Sequence, residues 1–565
     1  MKMANNALAL KPFLEMLRDY CATLKKSELI DFLCQTAQEI PAEARMDFLE
    51  KLIAKKILMP KEKDGKAAAA SSDIVARTEA LLQDVIDLHQ SVDDGSYYDN
   101  EDWQEDYDDE EFFGITEEQK QRFKQLIAEA DKLFFAGEME IAKQVYEKLT
   151  DMIIYGDELQ YAIEYEDMEI NWRETLARYC RCVYETSSGA ERTTLMRQAL
   201  AVDRQDFSDS NKEMLPSLRD VFDSRAGELA GWNDFLKQFR TNLNAAVSRR
   251  GILLHLEAAQ QLDGLPGLLK EVRKKQTPVG YLFWLEQLRA NEAWDGMAQA
   301  AQEALQAMPH DALRAEAAAQ LSLAGGRTGD KSLILLGRRE QFFSQPNEEH
   351  LAALLREANA QQVSEAELSK ALAYIEAAPK QREPDFSFLK IKIMLLAGKL
   401  RESCAAIDQK AAIGWSEEKR TTGAVYVSIL LVLSQGHAQA KTIHSLFARY
   451  INDRYSSNAF LAEAIRQRLL QLSVSASQKE QWLKFVEKIS AARAEQIISS
   501  KYRKGYARGA EALGGYMECL ILHDQQSKAA EFFDLKRNQQ YKRYPAFRQE
   551  LDEVMSKSPL LTRLR

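Results

Sequence analysis

Outside one acidic stretch, nearly every window of 12 to 18 residues repeats its apolar side chains at spacings of three and four, with breaks of two to six residues between windows. That period belongs to the α-helix, and such short breaks make consecutive helices antiparallel neighbours. Only 12 prolines and 25 glycines interrupt 565 residues, so few positions stop a helix once it starts. A chain of this kind is expected to be all-α. Its length makes room for three or four domains. With 45% apolar and 28% charged residues it has the means to bury sizeable cores, which excludes collagen-like, disulfide-scaffold and wholly disordered classes.

Two short helices at the start, marked by Leu29, Ile30, Phe32 and Leu33 and then by Phe48, Leu49, Leu52 and Ile53 after Pro41, suggest a small N-terminal bundle over residues 1–59. Residues 60–115 read as a linker carrying one helix, capped at Ser72 or Asp73, and then an acidic, aromatic segment. Thr116 with Gln119 forms a capping-box pattern that restarts the helices, opening a body expected over 116–400. Residues 401–565 are expected to form a separate basic helical domain, with the boundary between about 380 and 423. The apolar run Ala424–Leu433 is half of what a bilayer span requires and predicts a buried helix.

The segment from Leu126 to Leu149 places Ala130, Leu133, Gly137, Ala142, Tyr146 and Leu149 where two helices cross closely around a glycine turn. Tyr281 to Pro309 repeats the layout through Leu285, Leu288, Asn291, Trp294, Met297, Ala301 and Ala304. Leu389 to Ala406 turns at Gly398, and Ala512 to Phe533 turns near Asp524. These hairpins resemble tetratricopeptide repeats of bacterial helical-repeat proteins. The resemblance covers the hairpins and not the acidic segment; it implies an irregular α-solenoid that binds proteins on its faces.

Charge is unevenly distributed. From Asp93 to Glu111 eleven acids stand without a base, which equals the whole formal charge of −11. Tyr97, Tyr98, Trp103 and Tyr107 sit among them beside Asp108 and Asp109, a composition suited to docking on a basic protein surface. A solvated loop is the plain alternative. A calcium loop would place Asp106, Asp108, Glu110 and Glu117 at ligating positions, but Glu111 stands where the turn requires glycine. Residues 401–565 hold 26 Lys or Arg against 17 Asp or Glu. Lys501, Arg503, Lys504 and Arg508 interleave with Tyr502 and Tyr506; Lys536, Arg537, Lys542 and Arg543 interleave with Tyr541 and Tyr544. Bases among aromatics suit single-stranded nucleic acid, but five acids among the ten bases of residues 501–548 favour a solvated helix face or a surface for an acidic protein partner.

No motif for chemistry emerges. Paired Cys-x-x-Cys, His-Glu-x-x-His, nucleophile-elbow and phosphate-loop patterns are all missing. Cys180 and Cys182 stand two apart on an expected helix, so they face away from each other and fit a core. His437 and His444 lie two helical turns apart with no third ligand nearby in sequence. No metal or cofactor is expected, and a hidden hydrolase remains an alternative that geometry alone would reveal. Six scattered cysteines and a start without a signal-peptide pattern point to a reducing, cytoplasmic setting.

The layout of a long helical part, an exposed polar joint and a basic helical C-terminal part also resembles the protein substrate encoded beside the caspase-like protease of type III-E CRISPR systems. That resemblance implies cleavage near the joint by an RNA-activated protease and binding to a sigma factor. The residues it singles out are Trp415, Glu417, Glu418, Lys419 and Arg420.

Overall fold

The computed structural model describes residues 66–93, 116–151, 168, 170–203, 214–225, 227, 229–377, 386–407, 420–451 and 459–564. Among them the structure is helical throughout and contains no strand. The expected N-terminal bundle, the acidic segment 94–115 and Trp415, Glu417, Glu418 and Lys419 of the joint lie outside the described residues. Contacts divide the chain into two units, Met1–Gly267 and Leu268–Arg565.

In the first unit, α1 (Lys66–Asp93) begins before its expected cap. The alanines at 67–70 are strong helix formers, so Ser72 and Asp73 fall inside the helix, where Asp73 pairs with Arg77 at 2.9 Å. Thr116 and Gln119 do close a capping box on α2 (Glu117–Ala136), and Gly137 ends it in the left-handed region at φ 92°. The chain then enters α3 (Met139–Thr150), and Ala130, Ala142, Tyr146 and Leu149 are fully buried between the two helices and α4 (Trp172–Thr186). Next come α5 (Gly189–Ala199), α6 (Leu218–Asp223) and α7 (Trp232–Asn242). One apolar cluster runs from Ile74 to Ala258 and includes Trp172, Tyr184 and Trp232.

Arg181, in α4, is the cation this core is built around. Its guanidinium donates to the carbonyls of Phe222 at 2.8 Å and Arg225 at 2.6 Å and to Glu185 at 2.8 Å, so its burial leaves no uncompensated charge. α8 (Arg249–Lys275) is broken at Gly264, with φ 66° and ψ −163°, two residues before Pro266. The division between units falls at this break.

The second unit opens with α9 (Pro278–Ala290), α10 (Trp294–Ala307), α11 (Ala312–Thr328), α12 (Lys331–Ser344), α13 (Glu348–Ala360), α14 (Ser364–Ala377) and α15 (Ser387–Leu396). Each of these packs on its successor, and α9 and α12 also pack on the next helix but one. Ion pairs add links between them: Arg314 to Glu340 at 2.7 Å, Arg339 to Glu367 at 2.6 Å, and Lys392 to Glu348. The closest approach is between α11 and α12, where Gly337 lies against the backbone of Ala318 and Ser322.

From α16 (Leu400–Ala406) onward the arrangement changes. α17 (Arg420–Ser434) is enclosed by α15, α16, α18 (Lys441–Ile451), α19 (Ala459–Leu470), α20 (Ala476–Ser499) and α21 (Tyr506–Leu522). Every residue from Thr422 to Ser434 is buried, as an all-round apolar helix requires. α22 (Gln526–Asp534), a π-helical turn over Leu535–Gln540, and α23 (Pro545–Lys557) complete the unit. A single apolar cluster extends from Leu335 to Leu561. All four expected hairpins are present as helix–turn–helix pairs, with Gly398 at φ 74° and Asp524 at φ 58° in two of the turns.

Candidate interaction surface

The basic C-terminal surface starts where α20 ends. Lys501 adopts φ 54°, its amide donates to the Ile498 carbonyl at 2.9 Å, and a 3₁₀ turn over Arg503–Gly505 leads into α21. A side chain other than hydrogen at 505 would meet the Tyr502 ring at 2.7 Å, so glycine is what lets that tyrosine fold over the turn. Lys501, Tyr502, Arg503 and Lys504 are all exposed, and Arg508 is half-buried on the first turn of α21.

A second basic segment comes to the same end of the bundle. Phe547, near the start of α23, makes an edge-to-face contact with Tyr506 at 5.7 Å and another with Tyr541 at 5.0 Å. Gly509 lets α21 approach this ring, since a Cβ there would stand 3.2 Å from Phe547. The Tyr541 hydroxyl donates to Glu495 of α20 at 3.2 Å. Lys542, Arg543 and Tyr544 are exposed beside this aromatic stack. Two sequence-distant groups, Lys501–Lys504 and Lys542–Tyr544, thus flank one buried three-ring core.

The other bases and aromatics of these segments turn inward. Lys536 is 8% exposed, donates to Gln540 at 2.7 Å and lies 5.4 Å from the Phe532 ring centre; burial lowers its pKa. Arg537 makes a two-pronged pair with Asp552 at 2.7 Å. Tyr506 and Tyr541 are core residues, and burial first, then Glu495, raises the Tyr541 pKa. Periodicity alone did not separate these from their exposed neighbours. The nearby carboxylates are engaged: Glu495 by Tyr541 and Gln540, Asp552 by Arg537, and Glu511 by Arg449. Glu495 is exposed and its two partners are uncharged, so its negative charge stands beside the five exposed bases Lys501, Arg503, Lys504, Lys542 and Arg543.

The remaining candidates resolve as structural groups. Cys180 and Cys182 are both buried; burial pushes the Cys180 thiol up to about 12 and raises Cys182 as well, so neither is a thiolate at neutral pH. The His444 Nε2 lies 3.1 Å from the His437 carbonyl oxygen. No group of metal-ligating side chains occurs among the described residues. A groove of about 610 Å³ in the first unit is lined by Thr193, Thr194, Lys237, Gln238, Thr241 and Asn242, without carboxylate, histidine or cysteine. No described helix is long and apolar enough to cross a membrane. No family model, curated protein or solved structure matches the chain.

Proposed function

We propose that the chain is a non-enzymatic adapter or regulatory protein of tetratricopeptide-like helical hairpins in an irregular solenoid, and that its C-terminal basic surface binds an acidic protein partner. The observation that carries this reading is the convergence of Lys501, Arg503, Lys504, Lys542 and Arg543 with exposed Tyr502 and Tyr544 around a buried aromatic core, where Asp552 is paired with Arg537 and Glu495 is the exposed acid beside them. A surface with an excess of one sign steers an oppositely charged partner, and tyrosines supply anchors at low entropic cost. Nucleic-acid stacking is less well served, because Tyr506 and Tyr541 are consumed by the core.

Within this reading, an RNA-activated caspase-like protease and a sigma factor are the first partners to test, with Trp415–Arg420 as the segment to inspect for cleavage. Charge reversal of Lys501, Arg503 and Lys504 to Glu is expected to weaken protein capture more than ten-fold at physiological salt while leaving thermal stability unchanged. Unchanged capture, or capture abolished by nuclease treatment, would refute the protein-binding role of this surface.

A further inference from the structure

Arg493 lies in the middle of α20 and is 1% exposed. None of its three guanidinium nitrogens has a hydrogen-bond acceptor. Its carbon stands 5.7 Å from the ring centre of Tyr450, a contact that offers π-density but no lone pair. Other deeply buried cations are satisfied by the chain itself: Arg181 by two carbonyls and Glu185, Arg314 by the Leu305 carbonyl, Ser344 and Glu340, and Lys392 by Glu348. Burial lowers its pKa; Arg508 and Arg449 act in the same direction, and Tyr450 and Tyr426 oppose it. Arginine nevertheless stays protonated in proteins, so the buried charge is real and calls for an anion.

We propose that Arg493 anchors an interior oxyanion site that takes a phosphate group. The guanidinium fork matches two oxygens of a phosphate, a two-point fit that chloride does not offer. Near-complete burial favours a small species, either free phosphate or a small monoester. This site is independent of the protein-binding surface and stands or falls separately.

The test uses the full chain. Equilibrium dialysis with radiolabelled inorganic phosphate, and thermal unfolding in phosphate against sodium chloride at matched ionic strength, are compared for wild type, Arg493→Met, Arg493→Lys and Asp453→Asn. Asp453, three residues after Tyr450 in sequence, supplies the comparison variant at a carboxylate. Wild type is expected to bind about one phosphate, Arg493→Lys to bind at least ten-fold more weakly, Arg493→Met not to bind, and Asp453→Asn to bind undiminished. Competition by O-phosphoserine would assign the site to monoesters; its failure would assign it to free phosphate. The proposal is overturned if wild type takes up no phosphate, if Arg493→Met binds equally, or if Asp453→Asn destabilises the chain as Arg493→Met does with no response to phosphate in wild type.

Discussion

Replacing Gly337 by alanine should loosen the α11–α12 pair although alanine is the better helix former. A Cβ at 337 would stand 2.6 Å from the Ala318 carbonyl oxygen and 2.7 Å from the Ser322 amide nitrogen, both backbone atoms of the facing helix. Relief requires the helices to part by most of an ångström, which costs about 1–3 kcal/mol as overpacking. Separation also strains the bond from the Ser322 hydroxyl to the Ile334 carbonyl at 3.2 Å, worth roughly 1 kcal/mol. Against this, alanine in place of glycine contributes about 1 kcal/mol of helix propensity. The net expectation is a loss of about 2 kcal/mol, a fall of roughly thirty-fold in amide protection over α11 and α12 by hydrogen exchange. Gly326 supplies the control: a Cβ there meets nothing within 4 Å, so Gly326→Ala should stabilise by about 0.5–1 kcal/mol. Equal protection in the two variants, or greater protection in Gly337→Ala than in wild type, would refute the close-crossing argument.

Arg181→Met should cost about 3 kcal/mol, because it removes the donor to the Phe222 and Arg225 carbonyls and leaves Glu185 only its longer pair with Arg225, and the loss would show in hydrogen exchange of α4; a change under about 0.5 kcal/mol would contradict that role. Glu518 is fully buried, and burial raises its pKa even though the Ser558 hydroxyl and the Thr442 and Ile443 amides donate to it. A carboxyl whose folded pKa is raised contributes stability below its unfolded pKa and loses that contribution as pH rises through the folded value. The melting temperature of wild type minus that of Glu518→Gln should therefore decline from acid pH toward neutrality, and a flat difference would refute the assignment.

Much of this architecture was legible in the residues. The capping box at Thr116 and Gln119, the turns at Gly137 and Gly398, and the enclosed helix from Ala424 to Leu433 each follow from a local rule that tertiary packing did not override. The start of α1 was misplaced because Ser72 and Asp73 are good caps, while the alanines before them extend the helix past any cap. Gly337 is not legible in the sequence, since a glycine inside a helix signals a close approach only once its partner helix is known. The basic segments are legible, but the division of their side chains between core and surface is not. Lys536 and Tyr541 are buried while Lys542 and Tyr544 are exposed, and the π-helical turn over Leu535–Gln540 shifts the register that an α-helical period would assign to them. Arg493 was equally invisible, because one arginine in an amphipathic helix reads as a surface residue until its burial is seen.

The basic surface is tested most directly by placing a photo-crosslinking residue at Tyr502 and, separately, at Tyr544 in the full-length chain within cells. Both sites should join the same protein through acid-rich peptides, and both adducts should vanish when Lys501, Arg503 and Lys504 are reversed in charge. Adducts to nucleic acid, or protein adducts indifferent to that reversal, would contradict it.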